Sequence, residues 1–287
     1  MSAILFLGVV LSCQTMGIRL TRDDAVIIPV RVDGQGPYPF LLDTGTTTTL
    51  LGLDVAAELA VHPVDRVRLV TPGGERIAVR ARLGSLAVGD PGPRSLGEGG
   101  LTVEAPLVVL QDLGALRARV GAVRGVLGQD VLGRVDYVLD YGRKEIRFVD
   151  GEDCAAVDGR RVPFARVGGR VVVRGRDSRT EGPGFPLVLD SGATHLVLFE
   201  TDSGGPAIAV SRYFREPGRI DTSLGSRFTW SGWVPELVVG TESFRDLPVA
   251  IVALGSTALR AEAGLLPTRL FRRVYFNNAE NYVVLGR

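Results

Sequence analysis

Two segments of this chain are near copies of one another. Phe40-Leu41-Leu42-Asp43-Thr44-Gly45 and Leu187-Val188-Leu189-Asp190-Ser191-Gly192 each run from three apolar residues into an acid, a small hydroxyl residue and a glycine. They lie close to half of the 287-residue chain apart. Apolar runs of this length read as buried strands. An acid at the end of a buried strand is costly unless its oxygens are satisfied or a neighbour shares its proton. Two such acids, delivered by two similar halves, can meet across an approximate two-fold axis and hold one proton between them.

The order of elements repeats with the acids. In the first half, residues 26–32 read as a strand and residues 33–36 as its turn, followed by the strand into Asp43. Residues 53–60 read as a short helix. Residues 66–70 and 76–86 read as strands around Thr71-Pro72-Gly73-Gly74-Glu75, where proline and paired glycines mark a hairpin tip. Residues 101–110 read as one strand, 112–119 as a helical turn, and 125–132 as an apolar turn segment ahead of a closing strand pair at 137–149. The second half repeats the plan with strands at 170–174 and 185–189, the latter ending on Asp190. Separate strands follow at 227–230, 234–239 and 249–254. Residues 264–271 then echo 125–132, and 274–285 echo the closing pair. This is the pattern of an internal duplication. It predicts an all-β chain of two pseudo-symmetric lobes, residues 21–150 and 161–287, with the polar, glycine-containing stretch 151–160 as linker and few short helices.

Composition narrows the function. Apolar residues make up 45% and charged residues 23%, a globular balance. The net charge of +1 and the scattered arginines give no footprint for nucleic acid. Only two cysteines and two histidines are present, and Cys13 and Cys154 lack the spacing of a metal site. No phosphate-cradling glycine motif follows a strand and opens a helix, so no nucleotide cofactor is expected.

The N-terminal stretch 3–11 is apolar, too short to span a bilayer and of signal-peptide length. It runs into Val10-Leu11-Ser12-Cys13, which looks like a bacterial lipoprotein cleavage box. Residues 1–20 are therefore expected to be a leader, Cys13 a lipid-anchor site, and the protein exported, periplasmic or anchored to the bacterial envelope. The alternatives are a cytoplasmic chain with a mis-assigned start, or an N-terminal strand packed on the sheet.

Asp43-Thr44-Gly45-Thr46 and Asp190-Ser191-Gly192-Ala193 resemble the two D-[ST]-G-[AST] signatures of the pepsin/retropepsin-like aspartic proteases. Gly125-Val126-Leu127-Gly128-Gln129-Asp130 is similar to the apolar-apolar-Gly turn beneath the catalytic loop of that family. A single D-T-G arises often by chance; two, each after an apolar strand and each followed by the same later turn, form a specific pattern. The resemblance implies a bacterial two-lobe form, with pepsin-like β-barrel lobes and a cleft between them. It implies Asp43 and Asp190 as the catalytic pair of an aspartic endopeptidase, and Thr44, Gly45, Thr46, Ser191, Gly192 and Ala193 as their supporting loops. No metal or organic cofactor is implied. Water is activated between the carboxylates, and the Thr44 and Ser191 hydroxyls bond across the lobe interface. The substrate is an extended peptide paired with a candidate flap at Thr71, Gly73 and Gly74, and the chain is a monomer.

Three expectations are particular to this chain. Glycine is expected to let each acid loop turn sharply. Thr46 has a hydroxyl to offer Asp43 where Ala193 has none for Asp190, so Asp190 is expected to be the less stabilised anion. Pro267 stands where the first half has Gly128, which alters the second turn. The proposed flap has no tyrosine.

Two rival readings remain. A non-catalytic peptide-binding module keeps the fold without the chemistry. Thr201-Asp202-Ser203-Gly204-Gly205-Pro206 resembles the nucleophile loop of a trypsin-like serine protease, with His62 and Asp112 ahead of Ser203 in the order of a triad. That reading leaves both acid motifs unexplained, and His62 lacks the alanine and cysteine context of that family's histidine.

Overall fold

The structure is a computed structural model and describes residues 14–71, 74–89, 101–149, 157–179, 182–200, 216–222, 225–253 and 261–287. Cys13 and the apolar leader, flap residues Pro72 and Gly73, most of the linker with Cys154, and the segment holding Ser203 lie outside the described residues.

The chain opens with β1 (Gln14–Gly17), β2 (Arg19–Leu20), β3 (Val26–Val32), β4 (Gln35–Leu42) and β5 (Leu50–Gly52). Helix α1 (Leu53–Glu58) leads to the hairpin β6 (Pro63–Thr71) and β7 (Gly74–Arg82). Then come β8 (Ser85–Val88), β9 (Leu101–Glu104), β10 (Leu107–Gln111), α2 (Gly114–Val120), β11 (Gly125–Leu127) and α3 (Gln129–Leu132). Strands β12 (Asp136–Asp140) and β13 (Glu145–Val149) close the first half. The second half holds β14 (Arg161–Pro163), β15 (Ala165–Val167), β16 (Arg170–Arg176), β17 (Phe185–Asp190) and β18 (Leu196–Glu200). It continues with β19 (Glu216–Thr222), β20 (Gly225–Val239), β21 (Glu242–Ala253) and β22 (Gly264–Pro267). A 3-10 turn (Thr268–Leu270), β23 (Arg273–Asn277) and β24 (Tyr282–Gly286) end it.

The duplication is visible in the strand pairing. In the first lobe, β11 runs parallel to β4 and antiparallel to β5, while β10 runs parallel to β5 and antiparallel to β7. The second lobe repeats this with β22 on β17 and β18, and β21 on β18 and β20. The hairpin β6–β7 therefore has a counterpart in β19–β20. Strands β4 and β17 are central, covered on both faces, and consequently read as unbroken apolar runs rather than alternating ones.

A third sheet belongs to both lobes, in the order β1-β13-β12-β23-β24-β14. Its join is the antiparallel pair β12–β23, with Tyr137 opposite Phe276 and their rings stacked at 4.7 Å. Both rings are fully buried, so the seam between the halves is apolar core, and each lobe's closing pair completes the other's sheet.

Several boundaries differ from the sequence reading. Residues 14–17 pair with β13 and 19–20 with β3, so the stretch assigned to the leader is folded from Gln14 onward. The single strand expected over 101–110 is two, because Ala105 turns with φ 49° and Pro106 has no N–H for a ladder. The strand expected over 76–86 divides around Leu83 and Gly84, and those expected at 227–230 and 234–239 are one continuous β20. Trp230 and Trp233, read as core or rim, lie on the rim at 37% and 47% exposure.

The tight apposition of β22 on β18 gives a test. A Cβ at Gly264 would overlap the backbone carbonyl oxygen of Val197, whereas one at Gly125 would meet the side chain of Phe40. Backbone in a central ladder cannot yield, but a ring can tilt. In urea denaturation, Gly264→Ala should cost about 3 kcal/mol and Gly125→Ala nearer 1 kcal/mol.

Candidate active site

The acids sit at the carboxyl ends of β4 and β17, where each strand meets the opposite lobe. Thr44 and Ser191, 147 residues apart, exchange two hydrogen bonds and make two more across the interface. The Thr44 N–H donates to Ser191 Oγ at 3.0 Å and the Ser191 N–H donates to Thr44 Oγ1 at 3.0 Å. Each hydroxyl then donates onward into the other lobe, Thr44 Oγ1 to the carbonyl of Leu189 and Ser191 Oγ to that of Leu42, both at 2.7 Å. Thr44 is fully buried and Ser191 is 3% exposed, so this network is shielded from water. The cross-lobe bonding expected of these two hydroxyls is present.

Backbone donors fix each carboxyl in the same way. Asp43 Oδ1 accepts from the N–H groups of Gly45 (2.9 Å) and Thr46 (3.1 Å). Asp190 Oδ1 accepts from those of Gly192 (2.8 Å) and Ala193 (3.0 Å). The glycines serve proximity more than turning: neither has a positive φ, but each lies against the acid of the other lobe. A Cβ on Gly45 would overlap the Asp190 carboxyl, and one on Gly192 would stand 2.8 Å from Asp43 Cγ. The two carboxyls thus face each other across the lobe interface, each packed against the other loop's glycine.

Both acids are held above the ordinary carboxylate range. For Asp43, burial is the largest cause and the Asp190 charge the second, and together they push it up to about 8. Asp190 is raised by burial, opposed by its backbone donors and by the bond from Asp43. The two acids titrate as a pair that holds one proton between them. The Thr46 hydroxyl, expected to favour Asp43, turns instead to the carbonyl of Thr48 at 3.5 Å, leaving the backbone donor sets of the two acids equivalent.

The turns beneath the loops differ between lobes. In the first, Asp130 receives the N–H (2.9 Å) and hydroxyl (2.7 Å) of Thr49, and Gln129 Nε2 donates to the carbonyl of Thr44 at 3.1 Å. A side chain at Gly128 would run into the backbone of Thr48. In the second, Pro267 pairs in register with Asp190, and the following residues supply the ties. Thr268 Oγ1 bonds the Tyr141 hydroxyl at 2.6 Å, and Arg269 Nε donates to the carbonyl of Thr194 at 2.9 Å. The Arg269 guanidinium also pairs with Asp24 of the first lobe at 2.7 Å. His195 is tied to the Thr194 hydroxyl at 2.9 Å, a contact within the loop.

An aspartyl protease family model matches residues 28–131, a span that holds Asp43-Thr44-Gly45 and the turn at Gly128. The matched residues all lie in the first lobe. The likeness in fold runs further: the crystal structure of Basic 7S globulin from soybean superposes with a TM-score of 0.55 over 96% of both chains, at 12% identity. A retropepsin-like aspartic protease from Rickettsia conorii matches 48% of this chain and 91% of its own at 19% identity, with a TM-score of 0.33. No curated protein matches the chain in sequence. The all-β, two-lobed protease fold expected from the repeat is the one observed.

Around the aspartyl protease signature lie residues that the motif does not reveal: Asp24, Tyr141 and Arg269. The repeat itself pointed to one missed feature, since a hairpin at residues 71–74 of the first half implies another in the second, found at β19–β20. The candidate flap is a hairpin, with Thr71 opposite Gly74.

Two measurements check the site. Ser191→Ala removes a buried acceptor and a buried donor and should lower stability by about 2–3 kcal/mol in chemical denaturation. Because Asp43 is raised, the folded protein binds a proton that the unfolded chain releases. Its stabilising effect is complete below the unfolded carboxyl value and fades as pH rises through about 8. Asp43→Asn should therefore raise Tm by several degrees at about pH 8 and by little at about pH 4.

Proposed function

We propose that this chain is an aspartic endopeptidase in which Asp43 and Asp190 hydrolyse peptide bonds through a water held between them. The observation that carries the reading is the placing of two carboxyls by matching loops from two lobes, each acid against the glycine that follows its counterpart. The ionised acid of the pair takes a proton from the water as its oxygen attacks the peptide carbonyl carbon, and the protonated acid gives its proton to the carbonyl oxygen. The product is a tetrahedral diol. The second acid then takes back a proton from one diol hydroxyl while the first protonates the departing nitrogen, and the C–N bond breaks. The pair ends in its starting state, and no covalent enzyme intermediate forms. An extended substrate adds as a strand beside the β6–β7 hairpin.

Incubation with a denatured protein substrate, with fragments read by mass spectrometry, tests this. Cleavage should be blocked by pepstatin, unaffected by serine-directed inhibitors, and reduced at least about a thousandfold in Asp43→Asn and in Asp190→Asn. Undiminished cleavage in either variant overturns the assignment. Peptide binding without any cleavage by the unaltered protein supports the non-catalytic module instead. The pair needs its one proton, so kcat/KM should fall as pH rises through about 8, a milder limit than that of an unburied carboxyl.

A further inference from the structure

The duplicated frame brings the same two positions together in both lobes but joins them with different atoms. Counting from the acids, Thr47 corresponds to Thr194; counting from the turns that begin at Gly125 and Gly264, Asp130 corresponds to Arg269. In the first lobe the carbonyl of Thr47 accepts the backbone N–H of Asp130 at 3.2 Å, and the Asp130 carboxylate stays within the lobe, on Thr49. In the second lobe the carbonyl of Thr194 accepts from Nε of the Arg269 side chain at 2.9 Å, and Nη1 of the same guanidinium reaches Asp24 of the first lobe at 2.7 Å. Asp24 is itself fixed. Its N–H donates to the carbonyl of Thr21 at 3.1 Å, and the next N–H, of Ala25, donates to Thr21 Oγ1 at 3.1 Å. This turn leads into β3, which runs antiparallel to β4 with Ile27 opposite Leu41, so Asp24 stands at the end of the sheet where β4 delivers Asp43. Thr194 lies in the Asp190 loop, directly after Gly192 and Ala193, whose N–H groups hold Asp190 Oδ1. One guanidinium therefore ties the second acid loop to the strand beside the first acid, with donors in a fixed planar fork that a lysine lacks. The ion pair is 31% exposed at Arg269 and 46% at Asp24, and pairs so open to water add little stability. What it fixes is position.

We propose that Arg269 is a positioning residue: by holding the Thr194 carbonyl and Asp24 together it sets the Asp190 loop against the Asp43 loop, and the rate of peptide hydrolysis depends on that setting. The inference rests on the peptidase reading above and adds a residue that acts on the reaction through the loop. Misplacing a reacting group by about an ångström can cost about a hundredfold in rate, so a link of small thermodynamic weight can carry a large share of kcat.

The test is kcat and KM on one cleaved peptide, measured well below Tm where circular dichroism shows each protein fully folded. It compares the unaltered protein with Arg269→Lys, Arg269→Gln, Asp24→Asn and the double variant Asp24→Asn/Arg269→Gln. Arg269→Gln should lower kcat by about tenfold or more and move KM by less than about twofold. Arg269→Lys can keep one of the two contacts and should recover part of kcat. Asp24→Asn leaves the Thr194 contact in place and should lower kcat less. The double variant should be no slower than Arg269→Gln alone, because the two side chains act as one unit. Losses that multiply in the double variant overturn the link. An unchanged kcat in Arg269→Gln, or a change confined to KM, overturns the inference while leaving the peptidase reading intact. Should Arg269→Gln fail to fold, Asp24→Asn decides alone: a lowered kcat at unchanged KM upholds the positioning role, and an unchanged kcat overturns it. If the unaltered protein cleaves nothing, the peptidase reading fails. Hydrogen exchange at the amides of Gly192 and Ala193 then decides the matter: faster exchange in Arg269→Gln and Asp24→Asn upholds the hold on the loop, and equal exchange overturns it.

Discussion

The exchange of hydrogen bonds between Thr44 and Ser191 is the constraint from which the rest of the site follows. Each residue gives the other lobe a backbone N–H and a hydroxyl, and each hydroxyl both accepts and donates. With the network buried, breaking any one bond strands a polar group away from water, so the four bonds hold or fail together. The acids immediately before these residues, and the glycines immediately after, are thereby placed without further adjustment. Asp43 comes to rest against Gly192 and Asp190 against Gly45.

Symmetry of position does not bring symmetry of charge. The backbone donors of the two acid loops match closely, yet two carboxylates this near one another cannot both ionise freely in a desolvated site. One proton must stay. The surrounding turns are not duplicates either: the first lobe supports its loop with Gln129 and Asp130, the second with Thr268 and Arg269. A duplicated fold has here been finished with different side chains on its two sides.

Much of this was legible in the residues. The apolar runs into Asp43 and Asp190 announced central strands because both of their faces are covered, and the repeated order of elements announced two lobes. The roles of Thr44 and Ser191 followed from the likeness to a known family. What stayed hidden depended on long-range contact. The Arg269 link to Asp24 spans 245 residues, and nothing in either neighbourhood marks it. The Thr46 hydroxyl points to the carbonyl of Thr48 rather than to Asp43, a direction no sequence pattern specifies. Merged strand β20 was missed because Ser231 and Gly232 read as a break, whereas pairing with β21 carries the ladder through them. At the N-terminus, residues 14–20 have too little apolar periodicity to stand as strands alone and take that form by adding to existing edges.

The sheet that joins the halves bears on how they can move. Because β12 and β23 are neighbours in one continuous ladder, with Tyr137 and Phe276 stacked across the seam, swinging the lobes apart would mean tearing main-chain bonds and exposing aromatic core. A clamshell motion is closed off on that side. The strands β6 and β19, each at the end of its own sheet, have a strand partner on one side alone and carry no such seam.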